Sequence, residues 1–386
     1  MNNDMQGSPT NGRRVKVLFV PNWYPLHDGT AQIGECCREH VRAAALYEDV
    51  AVLVFAARAD RCPTLQWKRI EDVAPTFYAT YGHSPIPKTT LPVFLFHLRR
   101  ALRRVIEEWG SPDVIHTQDA YAYYVMKAVS SRQIPVVISQ HWTVFMERQV
   151  TPRLLQQFKW AFSRAARVLP DNKFAGREYQ HYGLQASVTW LPNAVDVKTF
   201  HPPLGSARRP WLLHASGMTA QKRFPDVIEA FARICDKHPQ AILHVVGDGS
   251  SRVEMERLAV QRLPGQSFQF HGYLPKSALA EIMRQASGFI LPSQAENMPC
   301  VLIEALACGC PVLTTRVGGI TALIREGQGL FVDVGNIEQI AEGMCRLLDG
   351  SHGFNMESIA RESRELYGHA AVGQILHEEY QKAARL

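Results

Sequence analysis

Residues 289–320 read FILPSQAENMPCVLIEALACGCPVLTTRVGGI and hold two glutamates, Glu296 and Glu304, with seven residues between them. Phe289 to Leu291 is a short apolar run that reads as a buried strand, and Ser293 to Pro299 reads as a loop. Val301 to Cys308 has apolar residues at helical spacing and no breaker, and Gly309 stops that helix because glycine accepts the left-handed conformation at a C-terminal cap. Val312 to Thr315 is the next strand, followed by a Gly318-Gly319 turn. The two carboxylates thus belong to one αβ unit at the carboxyl end of a strand, where open parallel sheets bind ligands. Eight residues of pure helix separate two positions by roughly 12 Å. Two carboxylates so placed do not share one proton or one metal, but they suit the two ends of an extended ligand. Taken singly, Glu304 reads as a solvated helix residue and Glu296 as a loop carboxylate.

Outward from this unit the alternation of strand and helix continues in both directions. VKVLFV (15–20) is a near-continuous apolar run of the kind a doubly covered parallel strand shows. A helix over Glu35–Ala45 and a strand over Val50–Phe55 follow, without a G-x-G-x-x-G between them, so dinucleotide binding in this half is unsupported. Residues 56–90 read as loops and short strands, and further strands are expected over 113–116, 135–139 and 167–170. WLPNAVDVKTFHPP (190–203), with its prolines and turn residues, reads as a linker. Beyond it, strands are expected over 211–215, 241–246 and 268–272, with helices over 225–235, 251–263, 277–287, 336–348 and 370–384. The chain is therefore read as two α/β halves: residues 1–195, residues 196–368, and a last helix in 369–386 returning to the first half.

Composition narrows the function classes. A chain of 386 residues with 46% hydrophobic and 20% charged residues is expected to be soluble and globular. Its longest apolar run, about Leu91 to Leu98, is far shorter than a membrane span. Eight cysteines without a secretory signal point to reduced thiols in the cytoplasm. Cys36-Cys37 and Cys308-x-Cys310 lack a second Cys/His pair at zinc spacing, so they read as apolar packing and no metal is expected. Residues 1–200 carry 24 Lys and Arg against 17 Asp and Glu, whereas residues 201–386 carry 18 against 19. The excess positive charge lies in the first half, in two basic amphipathic helices read over 91–109 and 153–167. Such helices suit an anionic membrane surface or a phosphate-bearing acceptor, and the alternative is that their aromatics face the core. No nucleic-acid-binding motif is present.

The fixed offsets of the opening stretch resemble the signature of the retaining glycosyltransferases of family 4: Glu296, then Glu304-Ala305, then Ala307-Cys308-Gly309-Cys310-Pro311-Val312 and Gly318-Gly319. The linker PNAVDVKTFHP, Val246-Gly247-Asp248-Gly249, and Gly34 with Glu39-His40 after Trp23-Tyr24-Pro25 resemble further family segments, in the flavour of enzymes that build bacterial surface polysaccharides. The resemblance implies the GT-B architecture, two Rossmann-like domains facing each other across a cleft. It implies hexosyl transfer from a UDP- or GDP-sugar to a glycan or lipid-linked acceptor with retention, in the cytoplasm with peripheral membrane contact, without nucleic acid, cofactor or metal. By the same resemblance Glu296 holds sugar hydroxyls, Glu304 the ribose, and Lys222 with Arg223 the diphosphate, while His141 faces the sugar. Gly217, Asn297, Met298, Gly318, Gly319 and Tyr273 belong to the donor site; Gly34 and, more weakly, His116 belong to an acceptor or phosphate loop. Departures stand beside it: Met218 takes the place of an arginine common before the lysine, Pro299 that of a glycine, and Gln118 that of a histidine. A glycosidase pair is disfavoured, because acid and nucleophile about 5–5.5 Å apart do not fit this spacing. The alternatives are a soluble transferase on a small acceptor such as a sugar phosphate, and a non-catalytic nucleotide-sugar-binding subunit.

Overall fold

A computed structural model describes residues 13–25, 34–58, 64–82, 90–130, 132–203, 205 and 208–386. Parts of the 21–34 loop and of the 56–90 stretch fall outside these residues. The first half contains β1 (Lys16–Val20), α1 (Glu35–Ala45), β2 (Asp49–Arg58), β3 (Gln66–Glu71), β4 (Pro75–Gly82), α2 (Thr90–Trp109) and β5 (Val114–Gln118). It continues with α3 (Tyr121–Val129), β6 (Val136–Gln140), α4 (Pro152–Phe162), β7 (Arg167–Pro170) and α5 (Ala175–His181). The second half contains β8 (Arg209–Ala215), α6 (Phe224–Ala232), β9 (Ile242–Val246), α7 (Arg252–Arg262), β10 (Phe268–Gly272), α8 (Lys276–Gln285) and β11 (Ala286–Leu291). There follow α9 (Cys300–Ala307), β12 (Val312–Thr315), α10 (Ile320–Leu323), β13 (Gly329–Val332), α11 (Ile337–Leu348), α12 (Met356–Tyr367) and α13 (His369–Ala383).

Two sheets result, with strand orders β3-β4-β2-β1-β5-β6-β7 and β10-β9-β8-β11-β12-β13. Every pairing is parallel except β3 on β4. This is the doubly wound, two-domain α/β architecture read from the sequence. The alternation within strands shows why each sheet is covered on both faces. Leu18 and Val20 enter one apolar cluster while Val17 and Phe19 enter another. In the second sheet Phe289 and Leu291 enter one cluster and Ile290 the opposite one. Fully burying one such side chain is worth about 1.5–3 kcal/mol, so these strands have no solvent face to offer.

The strand order reverses beside β1 and beside β8, which lie between β2 and β5 and between β9 and β11. Ligands of open parallel sheets bind at such switch points, beyond the carboxyl ends of the strands. Gly34 follows β1, Ser216 and Gly217 follow β8, and Glu296 follows β11, so both switch points contribute to one region. The last helix, α13, packs on α1: Val372, Leu376, Tyr380 and Ala383 join the same cluster as Val41 and Ala44.

Several expectations shift, among them the helix expected to 235, which ends at Ala232. The second basic helix ends at Phe162 rather than at 167, because Ala165 and Ala166 extend toward β7. Its Phe158 and Phe162 are core residues, so its aromatics do face inward. The helix expected to 287 ends at Gln285, since Ala286 already pairs with Arg209 in the sheet.

Candidate functional site

A cleft of about 330 Å³ lies between the halves, lined from the first by Gly34, Glu35 and Cys36 and from the second by Gly217, Lys222, Lys276, Glu296, Cys300 and Glu304 among others. Larger hollows exist; one of about 580 Å³ flanks β13 and α11 and contains none of the residues singled out from the sequence. Pro299, Cys300 and Val301, the start of α9, line the cleft, and no side chain caps that helix end. A helix start of this kind offers backbone N–H groups and a positive dipole end to an anion.

Glu296 is almost wholly buried, with 7% of its surface exposed. Its Oε1 accepts hydrogen bonds from Lys222 Nζ at 2.6 Å and Ser293 Oγ at 2.7 Å. Lys222 closes a single 3-10 turn, Ala220–Lys222. That turn is tied to the Glu296 loop by Gln221 Nε2 donating to Ala295 O at 2.6 Å and Gln294 N donating to Gln221 O at 2.8 Å. Lysine and carboxylate are thus held by one rigid pair of loops.

Glu304, within α9, has a different partner. Lys276 Nζ, at the first residue of α8, is 3.7 Å from Glu304 Oε1, 2.7 Å from Glu39 Oε1 and 3.6 Å from Glu35 Oε2. Burial pushes the Glu304 carboxyl up, and the nearby Lys276 charge opposes that push. Burial also works against ionised Glu39, but hydrogen bonds from His369 and Lys276 and the charges of Lys276 and Arg42 bring its pKa down to about 2. Glu39 belongs to α1, His369 to α13 and Lys276 to α8, so this network joins the two halves.

His141, after β6, is held from several sides. Its Nδ1 is 3.4 Å from Asp171 Oδ2, its Nε2 is 3.2 Å from Ser139 Oγ, and its backbone N donates to Asp119 Oδ1 at 2.8 Å. Burial disfavours its cation, yet the hydrogen bond and charge of Asp171, with Asp119, raise its pKa. Asn297 Nδ2 donates across the cleft to His141 O at 3.1 Å and to Asp171 Oδ1, joining the Glu296 loop to the histidine. His141 itself does not line the cleft.

The cleft therefore brings together Gly34, Gly217, Lys222, Glu296 and Glu304, and leaves other expected residues outside it. Arg223 turns away and pairs with Asp226 at 2.6 Å. Met298 packs on the linker, where its carbonyl accepts from Asn193 Nδ2 at 2.7 Å. Tyr273 is half exposed, and its neighbour Leu274 lines the cleft instead. His116 is buried with Nδ1 2.6 Å from Tyr380 Oη, and burial together with His40 and His141 holds it neutral: it braces α13. Gly34, at φ +94°, would carry a Cβ 2.5–2.6 Å from the Trp23–Tyr24 backbone, so its hydrogen makes room for that chain.

The Gly318-Gly319 turn has the same kind of role. A Cβ at Gly318 would lie 1.8 Å from Glu296 O and one at Gly319 2.0 Å from Asn297 O. Gly319 N–H donates to Glu296 O at 3.3 Å rather than standing free. The turn is a backbone brace under the glutamate. Gly318→Ala, at φ +49°, is expected to lower stability by about 2 kcal/mol or more. Gly350→Ala, left-handed but with nothing within 4 Å, should cost less, and urea unfolding of the two variants compares them directly. Missed from the sequence were Glu35, Cys36, Lys276 and Cys300, whose juxtaposition is wholly tertiary.

Two family models divide the chain: residues 38–199 match Glycosyltransferase Family 4 and residues 196–365 match Glycosyl transferases group 1. D-inositol 3-phosphate glycosyltransferase of Acidothermus cellulolyticus is 28% identical over 386 residues, covering 89% of this chain and 84% of that one. Sulfoquinovosyl transferase SQD2 of Arabidopsis thaliana is 25% identical over 310 residues, 72% of this chain, and the match spans 59% of the plant protein's length. Among solved structures, sucrose-phosphate synthase from Thermosynechococcus elongatus superposes with a TM-score of 0.76 at 21% identity, covering 96% of this chain and 99% of that one.

Proposed function

Since the chain belongs to the glycosyltransferases, with a family 4 domain followed by a group 1 domain, we propose that it moves a hexosyl group from a UDP- or GDP-sugar to a glycan or lipid-linked acceptor, with retention, in cell-surface polysaccharide synthesis. The observation that carries this reading is the cleft in which Glu296, Glu304 and Lys222 converge with the start of α9. Glu296 accepts hydrogen bonds from hydroxyls of the transferred sugar, and Glu304 from those of the ribose. The diphosphate lies between them, against Lys222 and the α9 backbone. The bond from the anomeric carbon to the diphosphate oxygen breaks with its electron pair on the phosphate, and the two cationic features stabilise the charge that develops there. The acceptor oxygen bonds to the same face, and its proton passes to the departing phosphate. Lysine and helix dipole take the part a metal plays elsewhere, so transfer is expected in EDTA. A panel of UDP- and GDP-hexoses assayed in EDTA, with the product's anomeric proton read by NMR, tests this. An α-configured donor should give an α-linked product; a β-linked product rejects retention, and no transfer from any donor rejects the enzyme reading.

The acceptor is proposed to be membrane-bound because of α2. Its inner face is Leu98, Ala101, Leu102 and Val105, and its outer face carries Arg99, Arg100, Arg103 and Arg104 below Phe96, which is 61% exposed, and exposed Leu91. No helix among the described residues is long and apolar enough to cross a membrane. Basic residues near an anionic surface contribute about 1 kcal/mol each. The protein should sediment with vesicles containing phosphatidylglycerol and not with pure phosphatidylcholine, and replacing the four arginines by glutamate should release it. Lack of binding to either vesicle supports the second reading, a small phosphorylated acceptor. That reading draws on the inositol-phosphate relative, which aligns along 89% of this chain.

A further inference from the structure

Two charge pairs occupy the donor cleft, and their symmetry points to a residue that no motif marked. Lys222 is 2.6 Å from Glu296 and Lys276 is 3.7 Å from Glu304. These lysines are the two cations among the described residues lining the cleft, which also presents Glu35, Glu296 and Glu304. Behind them Glu39 holds Lys276 at 2.7 Å. As it stands the cleft has more carboxylates than cations, a poor site for a diphosphate unless the lysines change partners. The arginine expected before Lys222 is replaced by Met218, whose side chain is buried in the core. Arg223 is turned to Asp226. One cation alone then faces an incoming diphosphate from the Lys222 side.

We propose that Lys276 is the second cation of the donor diphosphate site. When the ribose hydroxyls take over Glu304, the Lys276 ammonium exchanges that carboxylate for a phosphate oxygen, as Lys222 does when sugar hydroxyls take over Glu296. A lysine suits this exchange: it is a compact point charge on a flexible four-carbon stem. It opens α8, where the dipole disfavours a cation, and the carboxylates of Glu35, Glu39 and Glu304 hold it there.

The inference rests on the donor-site reading above, and its test separates the two. Binding of UDP, GDP, uridine and guanosine to the full chain is measured by ligand-observed NMR for the wild type, Lys276→Met, Lys276→Arg and Glu39→Gln. The wild type should bind one nucleoside diphosphate; if it binds neither, the donor site itself fails and this proposal with it. Lys276→Met should weaken the diphosphate about ten- to a hundredfold, the range for a lost charged hydrogen bond, and leave the matching nucleoside unchanged. Lys276→Arg should recover most of the loss. Glu39→Gln keeps the lysine and removes its partner across the cleft, so diphosphate binding should hold or tighten. Equal weakening of nucleoside and diphosphate in Lys276→Met overturns the proposal, as does weakened diphosphate binding in Glu39→Gln or unaltered binding in Lys276→Met.

Discussion

Glu296→Gln is expected to lower turnover by roughly a hundredfold or more while nucleoside diphosphate affinity stays within about tenfold of the wild type. The substitution is close to isosteric, so the buried loop keeps its shape and Ser293 Oγ keeps an acceptor. What is lost is the negative charge that the sugar hydroxyls and Lys222 share. On the proposed reading, ground-state binding of the donor is dominated by its nucleotide, held toward Glu304. The deficit should therefore fall on kcat, with the donor KM little changed, the pattern of an interaction made chiefly in the transition state. Steady-state kinetics settle the matter, and a wild-type kcat removes Glu296 from its role.

Lys222→Met should cost more, on the order of a thousandfold in kcat/KM, because it removes a preorganised cation where the leaving group gathers charge. Here both kcat and donor affinity should suffer. Part of the loss comes from the Glu296 carboxylate left buried without its partner. The double variant Lys222→Met, Glu296→Gln separates the two contributions. Since the residues touch, their effects should fall well short of additive, and a double variant with the summed loss would show that they act independently. Relative to Lys222→Met, Lys222→Arg should restore part of the rate, as charge survives while a planar, longer guanidinium replaces the compact ammonium 2.6 Å from Glu296.

Much of the architecture was legible because its signals are local. The β11-loop-α9-β12 unit follows from apolar runs, a helical repeat and one glycine, and Gly309 does end α9 in the left-handed region, at φ +66°. Glu296 and Lys222 stand in loops that follow β11 and β8, and Glu304 lies within α9, on the side of the sheets where parallel topology places ligands; their roles came from the family resemblance of the whole stretch rather than from any one residue. Other elements gave weaker signals. α12 reads MESIARESRELY, with Ile359, Ala360, Ser363 and Tyr367 as its inner face, too small and polar a stripe to stand out. β13 is four residues at a sheet edge. The site's remaining parts depend on distance along the chain: Lys276 meets Glu39 across 237 residues, and His369 meets it across 330. The glycines are a different case. The resemblance assigns Gly318 and Gly319 to the donor site and Gly34 to an acceptor or phosphate loop; in the fold a Cβ at each would meet backbone of Glu296, Asn297 and Trp23 in turn. A glycine's need for space is evident in a sequence; which neighbour takes that space is decided by the fold.

Calorimetric titration of the wild type with UDP and with GDP tests the donor cleft most directly. One of the two should bind at one site per chain, and Glu304→Ala should weaken that binding, since the ribose loses its carboxylate. A folded protein that takes up neither nucleotide, or one whose binding is indifferent to Glu304, would contradict a donor site between the two halves.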